Sequence, residues 1–332
     1  MRYISELVSE NREMALGSDK FLLPFDSGRT RALRGVPVKG CRVNLLALGD
    51  VGGSVLTGLR LLGGETIDSI GIYDVNQAVL RRYEREINQI CYPDGRKLPR
   101  IEIIREDQLF DCTMFVFCAS KGVPPVGAGG DVRMAQLEAN RELVSMFASK
   151  AAASGFDGIF AVVSDPVDPL CRAALDCGLD PGMVRGYGLG VMNSRARYFA
   201  EHHSKYGMYL DEGRAFGPHG EDLVIANSIS NYDDELSKEL TELAVTSNLV
   251  TRADGFKPYI APAMSSGALS LIAALAGEWH YSSVYLGDDK DGAFLGCRNR
   301  LTGEGVEVEN LPLDDKLFDR IENAYRHLID LN

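Results

Sequence analysis

Two glycines and one carboxylate carry the first chemistry that can be read from the chain. Gly49 and Gly52 lie in Ala47-Leu48-Gly49-Asp50-Val51-Gly52-Gly53, directly after the apolar run RVNLLAL. A glycine at the first of these two places lets backbone approach a pyrophosphate with no side chain between. A glycine at the second lets a helix pack closely on its strand. Ala47 stands where a third, leading glycine is usual, so the fingerprint is degenerate. A helix beginning at Gly52 aims its free N–H groups and positive dipole end at an anion. Asp74 closes the next strand about twenty residues on, where a carboxylate accepts hydrogen bonds from the ribose hydroxyls of NAD and repels the extra phosphate of NADP. The unit from Val43 to Asp74 is therefore expected to bind NAD, with Gly49, Asp50, Val51, Gly52 and Asp74 at the contact. Asp50 is the discordant residue, because a carboxylate beside a pyrophosphate is repelled unless it points to water.

Three later segments set arginine or histidine among glycines. They are Ser120–Arg133 (SKGVPPVGAGGDVR), Val184–Arg195 (VRGYGLGVMNSR) and Phe216–Asp222 (FGPHGED). The first follows a strand and has the glycine and proline content of a lid, with Lys121 a candidate to reach inward.

The elements that must position these groups follow from periodicity. Apolar runs at 42–48, 69–74, 101–105, 113–119 and 158–164 predict strands, alternating with helices at 53–62, 76–90 and 131–153. Strands apolar on both faces, interleaved with helices, predict a parallel sheet covered on both sides. The second half predicts helices at 191–206, 233–248, 262–277 and 314–331, strands at 207–210 and 222–228, and hairpin character over 281–311. The expected fold class is α/β, a Rossmann-type doubly wound parallel sheet followed by an α+β substrate domain. The expected division is an arm at 1–40, a dinucleotide-binding domain at 41–186 and a catalytic domain at 187–332. The arm is expected to pack on its own domain or on a neighbouring subunit.

Composition narrows the function classes. The chain has 332 residues, 45% hydrophobic and 25% charged, which suits a folded globular protein. A net charge of -12 argues against nucleic acid or anionic lipid as partners. The seven cysteines are odd in number and form no CxxC pair, so neither a disulfide framework nor a metal site is expected. Cys118, inside TMFVFCAS, reads as a small buried hydrophobe, not a nucleophile. The first residues lack the apolar core of a secretory signal, and the most membrane-like stretch, 268–277, is about half a spanning length. A cytoplasmic protein without membrane contact is expected.

From about residue 42 to its end the chain resembles the lactate/malate dehydrogenase family. The resemblance rests on the order and spacing of the glycine loop, DPVD at 165–168, Arg195, GPHGED, and the tail RLTGEGVEVENLPLDD. It implies an enzyme that transfers hydride between NAD(H) and a small 2-hydroxy or 2-oxo acid, assembled as a homodimer or homotetramer. On this resemblance His219 is similar to the family's proton-transfer histidine, a role suited to a group that titrates near neutrality. Arg195 is similar to the arginine that grips the substrate carboxylate in a bidentate fork. Arg133 is similar to the lid arginine that polarises the substrate carbonyl. Asn140 matches the family spacing on the cofactor side, as does Ala119. Lys257, in GFKP, falls in the segment that lines the substrate side-chain pocket, either as a pocket cation or as a solvated lysine.

Two departures from the family pattern stand out. Met192 occupies the place of the aspartate that orients the histidine, and Asp165 replaces the asparagine of the family's N-P-V segment. One acid lost and one gained in the same pocket leads to the expectation that Asp165 partly replaces the missing partner of His219. The alternative is a non-enzymatic NAD(H)-binding or sensing protein descended from such a dehydrogenase. An NAD-dependent glycosidase of related architecture would want metal ligands near the nicotinamide, and no convincing Cys/His pair is visible.

Overall fold

In a computed structural model of the chain, residues 1–8, 18–25, 35–36, 39–121, 132–287 and 291–331 are described, the side chains of 132–136 excepted. After an edge strand β1 (Lys20–Pro24), the first half runs β2 (Cys41–Leu46), α1 (Asp50–Leu62), β3 (Ile67–Tyr73), α2 (Gln77–Asn88), β4 (Arg100–Ile103), β5 (Met114–Phe117), α3 (Val132–Ser154), β6 (Ile159–Val162), α4 (Val167–Leu175) and β7 (Val184–Gly186). These six strands after β1 pair in parallel in the spatial order β4-β3-β2-β5-β6-β7. The chain reverses direction across the sheet between β2 and β5, which opens a crevice at their carboxyl ends.

Burial on both faces explains the uninterrupted apolar strands. Val43, Leu45, Met114, Val116, Ile159 and Ala161 point into one core, beneath Leu56 of α1 and Leu80 of α2. Phe115, Phe117, Phe160 and Val162 point into the other, beneath Phe147 of α3 and Leu170 of α4. Phe115 and Phe160 meet across neighbouring strands with ring centroids 5.0 Å apart. Burying each such side chain is worth about 1.5–3 kcal/mol, so this layer fixes the strand register.

The second half continues with α5 (Leu189–His202), α6 (Tyr209–Glu212), β8 (Arg214–Phe216), β9 (Val224–Ala226), α7 (Asp234–Ala253), a π-helical stretch over Pro262–Leu269 that runs into α8 (Ser270–Leu275), then β10 (His280–Gly287), β11 (Gly292–Leu301), β12 (Gly305–Glu309) and α9 (Asp315–Asp330). β10 joins β7, so one ten-stranded sheet runs through the whole molecule, ending β10-β11-β12-β1. β8 and β9 form a separate antiparallel ribbon with GPHGED in its turn.

Several elements differ from the sequence reading. Residues 207–210, expected as a strand, wind into the short helix α6. Gly213 N–H donates to Tyr209 O, and buried Tyr209 donates its hydroxyl to Asn193. α4 and β7 had no counterpart in the periodicity, because β7 is only three residues long and is defined by its neighbours. The helix expected over 262–277 opens into a π-helix at its start, where Ser266 accepts from Val191 N–H and donates to Gly188 O. Those two bonds tie the entry of α5 to this stretch.

The arm packs on its own chain where it is described. β1 adds antiparallel to β12, Ile4 is buried, Ser5 N–H donates to Asn310 Oδ1, and Arg2 stacks 4.0 Å from the Phe318 ring. Among the described residues no helix is long and apolar enough to cross a membrane.

Candidate active site

The glycine loop sits at the crevice between β2 and β5. Ala47 adopts φ 72°, the left-handed region that glycine occupies freely. Gly49 is the N-cap of α1, which receives no side-chain cap, so the first amides of the helix face outward. A Cβ built on Gly49 meets no atom within 4 Å, whereas one built on Gly52 lies 2.0 Å from the carbonyl oxygen of Ala47. Gly49 thus offers open backbone to a ligand, and Gly52 gives the turn its closure. Asp74 locks the loop from β3: its carboxylate accepts from Leu48 N–H and from Asn76 N–H, both at 2.8 Å.

The strained Ala47 gives an immediate expectation. Left-handed backbone costs an alanine roughly 1–2 kcal/mol, while glycine loses about 0.5–1 kcal/mol in chain entropy. Ala47→Gly is therefore expected to stabilise the fold by about 0.5–1 kcal/mol, measured by denaturant unfolding. A less stable variant would mean that the alanine is not strained.

Across the crevice, the exits of β5 and β6 are stitched together by Asn140. This fully buried amide donates to the carbonyl of Asp165 and accepts from Lys121 N–H. Ala119 follows β5, and its carbonyl accepts from Ser164 Oγ at 2.8 Å. The Cys118 thiol is pushed up to about 12 by burial, so it carries no thiolate at neutral pH. Lys121 turns outward to Glu142 at 2.8 Å.

Beyond it, His219, Asp165 and Arg195 come together, with Asp165 exposed. The turn of the β8–β9 ribbon delivers His219, whose Nδ1 lies 3.0 Å from Asp165 Oδ1 at the start of α4. Gly188 passes so close that a Cβ there would lie 2.8 Å from the Cβ of His219. The His219 side chain is 14% exposed. Burial lowers its pKa, but the charge of Asp165 and the hydrogen bond to it more than offset this and hold it above the ordinary value. Arg195, on α5, has its own pKa lowered by burial and supported by Asp165. Its Nη1 donates to Ala244 O at 3.1 Å and lies 3.4 Å from the sulfur of Met192. Met192 is buried beside the arginine and makes no bond to the histidine.

Asp168, one helical turn after Asp165, had been assigned no role from sequence. It is 4% exposed, the Ser283 hydroxyl and the His219 backbone amide beside it favour its charged form, and its Oδ1 has no hydrogen-bond partner among the described residues. Burial pushes its carboxyl up to about 6. It thereby joins α4, β10 and the histidine turn beneath the Asp165–His219 pair. Its spacing from Asp165 was the only sequence signal for it.

Two other candidates are not part of this cluster as described. The side chain of Arg133 and the preceding segment 122–131 fall outside the described residues. Lys257, expected at the substrate pocket, is 81% exposed and pairs instead with Asp50 in the glycine loop, Nζ to Oδ2 at 2.8 Å. Gly255, at φ 89°, turns the chain just ahead of it. Among the described residues no group of His, Cys, Asp and Glu is placed to hold a metal ion.

No family model matches the chain. It is similar to an L-lactate dehydrogenase of Corynebacterium glutamicum, 28% identical over 204 residues, which is 60% of this chain and 62% of that protein. The aligned stretch thus spans about three-fifths of that relative. Among solved structures it is similar to the minor L-lactate dehydrogenase of Enterococcus mundtii, with TM-score 0.72 at 19% identity, covering 88% of this chain and 97% of that one. It is also similar to the malate dehydrogenase of Archaeoglobus fulgidus in complex with NADH, with TM-score 0.70 at 17% identity, covering 87% and 98%.

Proposed function

We propose that the chain is a divergent member of the lactate/malate dehydrogenase family, to whose members it is similar, and that it transfers hydride between NAD(H) and a small 2-hydroxy or 2-oxo acid. The observation that carries this reading is the Asp165–His219 pair at 3.0 Å, facing Arg195 beside the glycine-loop crevice. The residues fit the cofactor: open backbone at Gly49, uncapped amides in the first turn of α1, and Asp74 at the end of β3. NAD(H) bound there supplies or accepts the hydride. The segment 41–186 forms the dinucleotide half in this reading, and 187–332 the substrate half.

The chain's own residues handle the proton and the carboxylate. Asp165 accepts from Nδ1–H of His219, which leaves Nε2 to give a proton to the substrate carbonyl oxygen or to take one from the hydroxyl. The imidazolium is the acid for reduction, and the Asp165 carboxylate stabilises it. Arg195 holds the substrate carboxylate, its fork steadied from behind by Ala244 O. By the resemblance, polarising the carbonyl falls to Arg133, whose side chain lies outside the described residues.

The test is NADH oxidation against a panel of 2-oxo acids, with His219→Ala as control and NADH binding titrated separately by fluorescence. Turnover on at least one acid is expected, falling about 10^2- to 10^4-fold in the variant, while NADH affinity is retained. NADH bound tightly with no turnover across the panel would overturn the enzymatic reading in favour of a sensing protein.

A further inference from the structure

Asp50 and Lys257 are separated by 207 positions, yet their charges meet at 2.8 Å on the rim of the glycine loop. Their place relative to each other is set by rigid packing. α1, which begins at Asp50, lies against the 262–269 helix, with Gly58 on Ala268 and Met264, and Gly267 on Val55. Lys257 lies just before that helix, so the contact carries it to the mouth of the loop. Stability does not account for the pair. Its side chains are 49% and 81% exposed, and pairs so open to water contribute little.

Charge at the loop does account for it. The N-terminus of a helix presents roughly half a positive charge. Asp50 in its first turn carries a full negative one, which leaves the position where a pyrophosphate is to sit net negative. The whole chain, at -12, adds to that repulsion. One ammonium returns the local sum to positive. We propose that Lys257 is a dinucleotide-binding residue: Asp50 holds its ammonium at the glycine loop, and the incoming pyrophosphate takes it over as counter-ion. This rests on the NAD(H) reading above and deepens it, since it moves Lys257 from the acid substrate to the cofactor. Asp50 then becomes a holder of the lysine and a competitor for it.

Binding measurements separate the roles. NADH and ADP-ribose, which has the pyrophosphate but no nicotinamide, are titrated against the intact protein at low and high salt. AMP serves as the probe without a pyrophosphate. Circular dichroism melting checks that the variants fold, as expected for so exposed a lysine. Lys257→Ala is expected to weaken NADH and ADP-ribose about tenfold at low salt and AMP much less, with the ratio to wild type shrinking as salt rises. Asp50→Asn is expected to tighten both dinucleotide ligands severalfold. In the Asp50→Asn background, Lys257→Ala is still expected to weaken them. If the second substitution is silent there, the lysine only cancels Asp50 and is not a ligand for phosphate. If Lys257→Ala leaves NADH and ADP-ribose binding unchanged but raises KM for the 2-oxo acid, the lysine belongs to the substrate pocket and the proposal is wrong. Wild-type protein that binds neither NADH nor ADP-ribose brings down the NAD(H) reading itself, and this proposal with it.

Discussion

Asp165→Asn is expected to lower turnover by roughly 10^2- to 10^4-fold, the scale seen when a histidine loses its orienting carboxylate. The amide keeps the shape of the side chain but not its charge. Asparagine's amide also offers a donor as well as an acceptor to Nδ1, so the imidazole loses its preferred tautomer. The pH dependence should move with the rate. Asp165 raises the pKa of His219 against the lowering effect of burial, so removing the charge lets that pKa fall. Reduction of a 2-oxo acid needs the imidazolium, and its rate declines as pH rises through the His219 pKa. The decline should therefore begin at lower pH in the variant. NADH affinity should hold, because Asp165 does not touch the glycine loop. A variant with wild-type turnover and an unmoved profile would show that the 3.0 Å contact does no catalytic work.

The same pair explains how the site tolerates Met192. In the family pattern the carboxylate reaches the histidine from the position of Met192 on α5. Here it reaches from the turn between β6 and α4, and the vacated place is filled by a thioether against Arg195. An aspartate at 192 would bury a further acid, because Met192 is 2% exposed. Asp168 already has its carboxyl pushed up to about 6 by burial. The exchange of positions is thus a consistent set, in which the histidine keeps one negative partner and one anchor for its backbone.

Residues differ in how far their surroundings could be read from the chain. Val43, Leu45, Phe115 and Phe117 announce a two-sided sheet because each sits in a run with no polar face. Gly52 and Asp74 are legible because a strand, a turn and a helix lie in sequence around them. The pairing of Asp165 with His219 was reachable through one lost and one gained acid in a shared pocket. Asp168 was not, because an acid in the first turn of a helix is ordinary, and its partner Ser283 comes from a strand more than a hundred residues away. Lys257 stayed open between pocket cation and solvated lysine for a related reason. A lysine's sequence neighbours do not say where its long side chain ends, and Asp50 is brought to it only by the packing of α1 on the 262–269 helix. β7 and α6 escaped because three- and four-residue elements have no period to detect.

Gly52→Ala and Gly49→Ala should fail in different ways, and the difference tests the loop as a binding device. At Gly52 a methyl would lie 2.0 Å from Ala47 O and 3.3 Å from the Cβ of Cys118. The carbonyl cannot yield easily. Ala47 is already in the left-handed region, and its N–H is bonded to Tyr73 O at 2.9 Å. Overpacking of this kind costs about 2–3 kcal/mol, so the melting temperature should fall by roughly 3–4 °C. NADH binding should weaken by about a hundredfold or more, because the loop must shift by the order of an ångström to admit the methyl. Gly49 is the opposite case. Its φ of -71° is ordinary for alanine, and a Cβ there meets nothing within 4 Å. Stability should change by less than about 0.5 kcal/mol, while the methyl occupies the space a pyrophosphate needs and NADH binding drops. A Gly49→Ala protein that binds NADH as wild type does would place the pyrophosphate away from this turn. A Gly52→Ala protein that keeps its stability would mean that the helix can draw back from Ala47. Only if stability and binding part company at Gly49, and fall together at Gly52, do the two glycines divide the labour of ligand approach and loop closure.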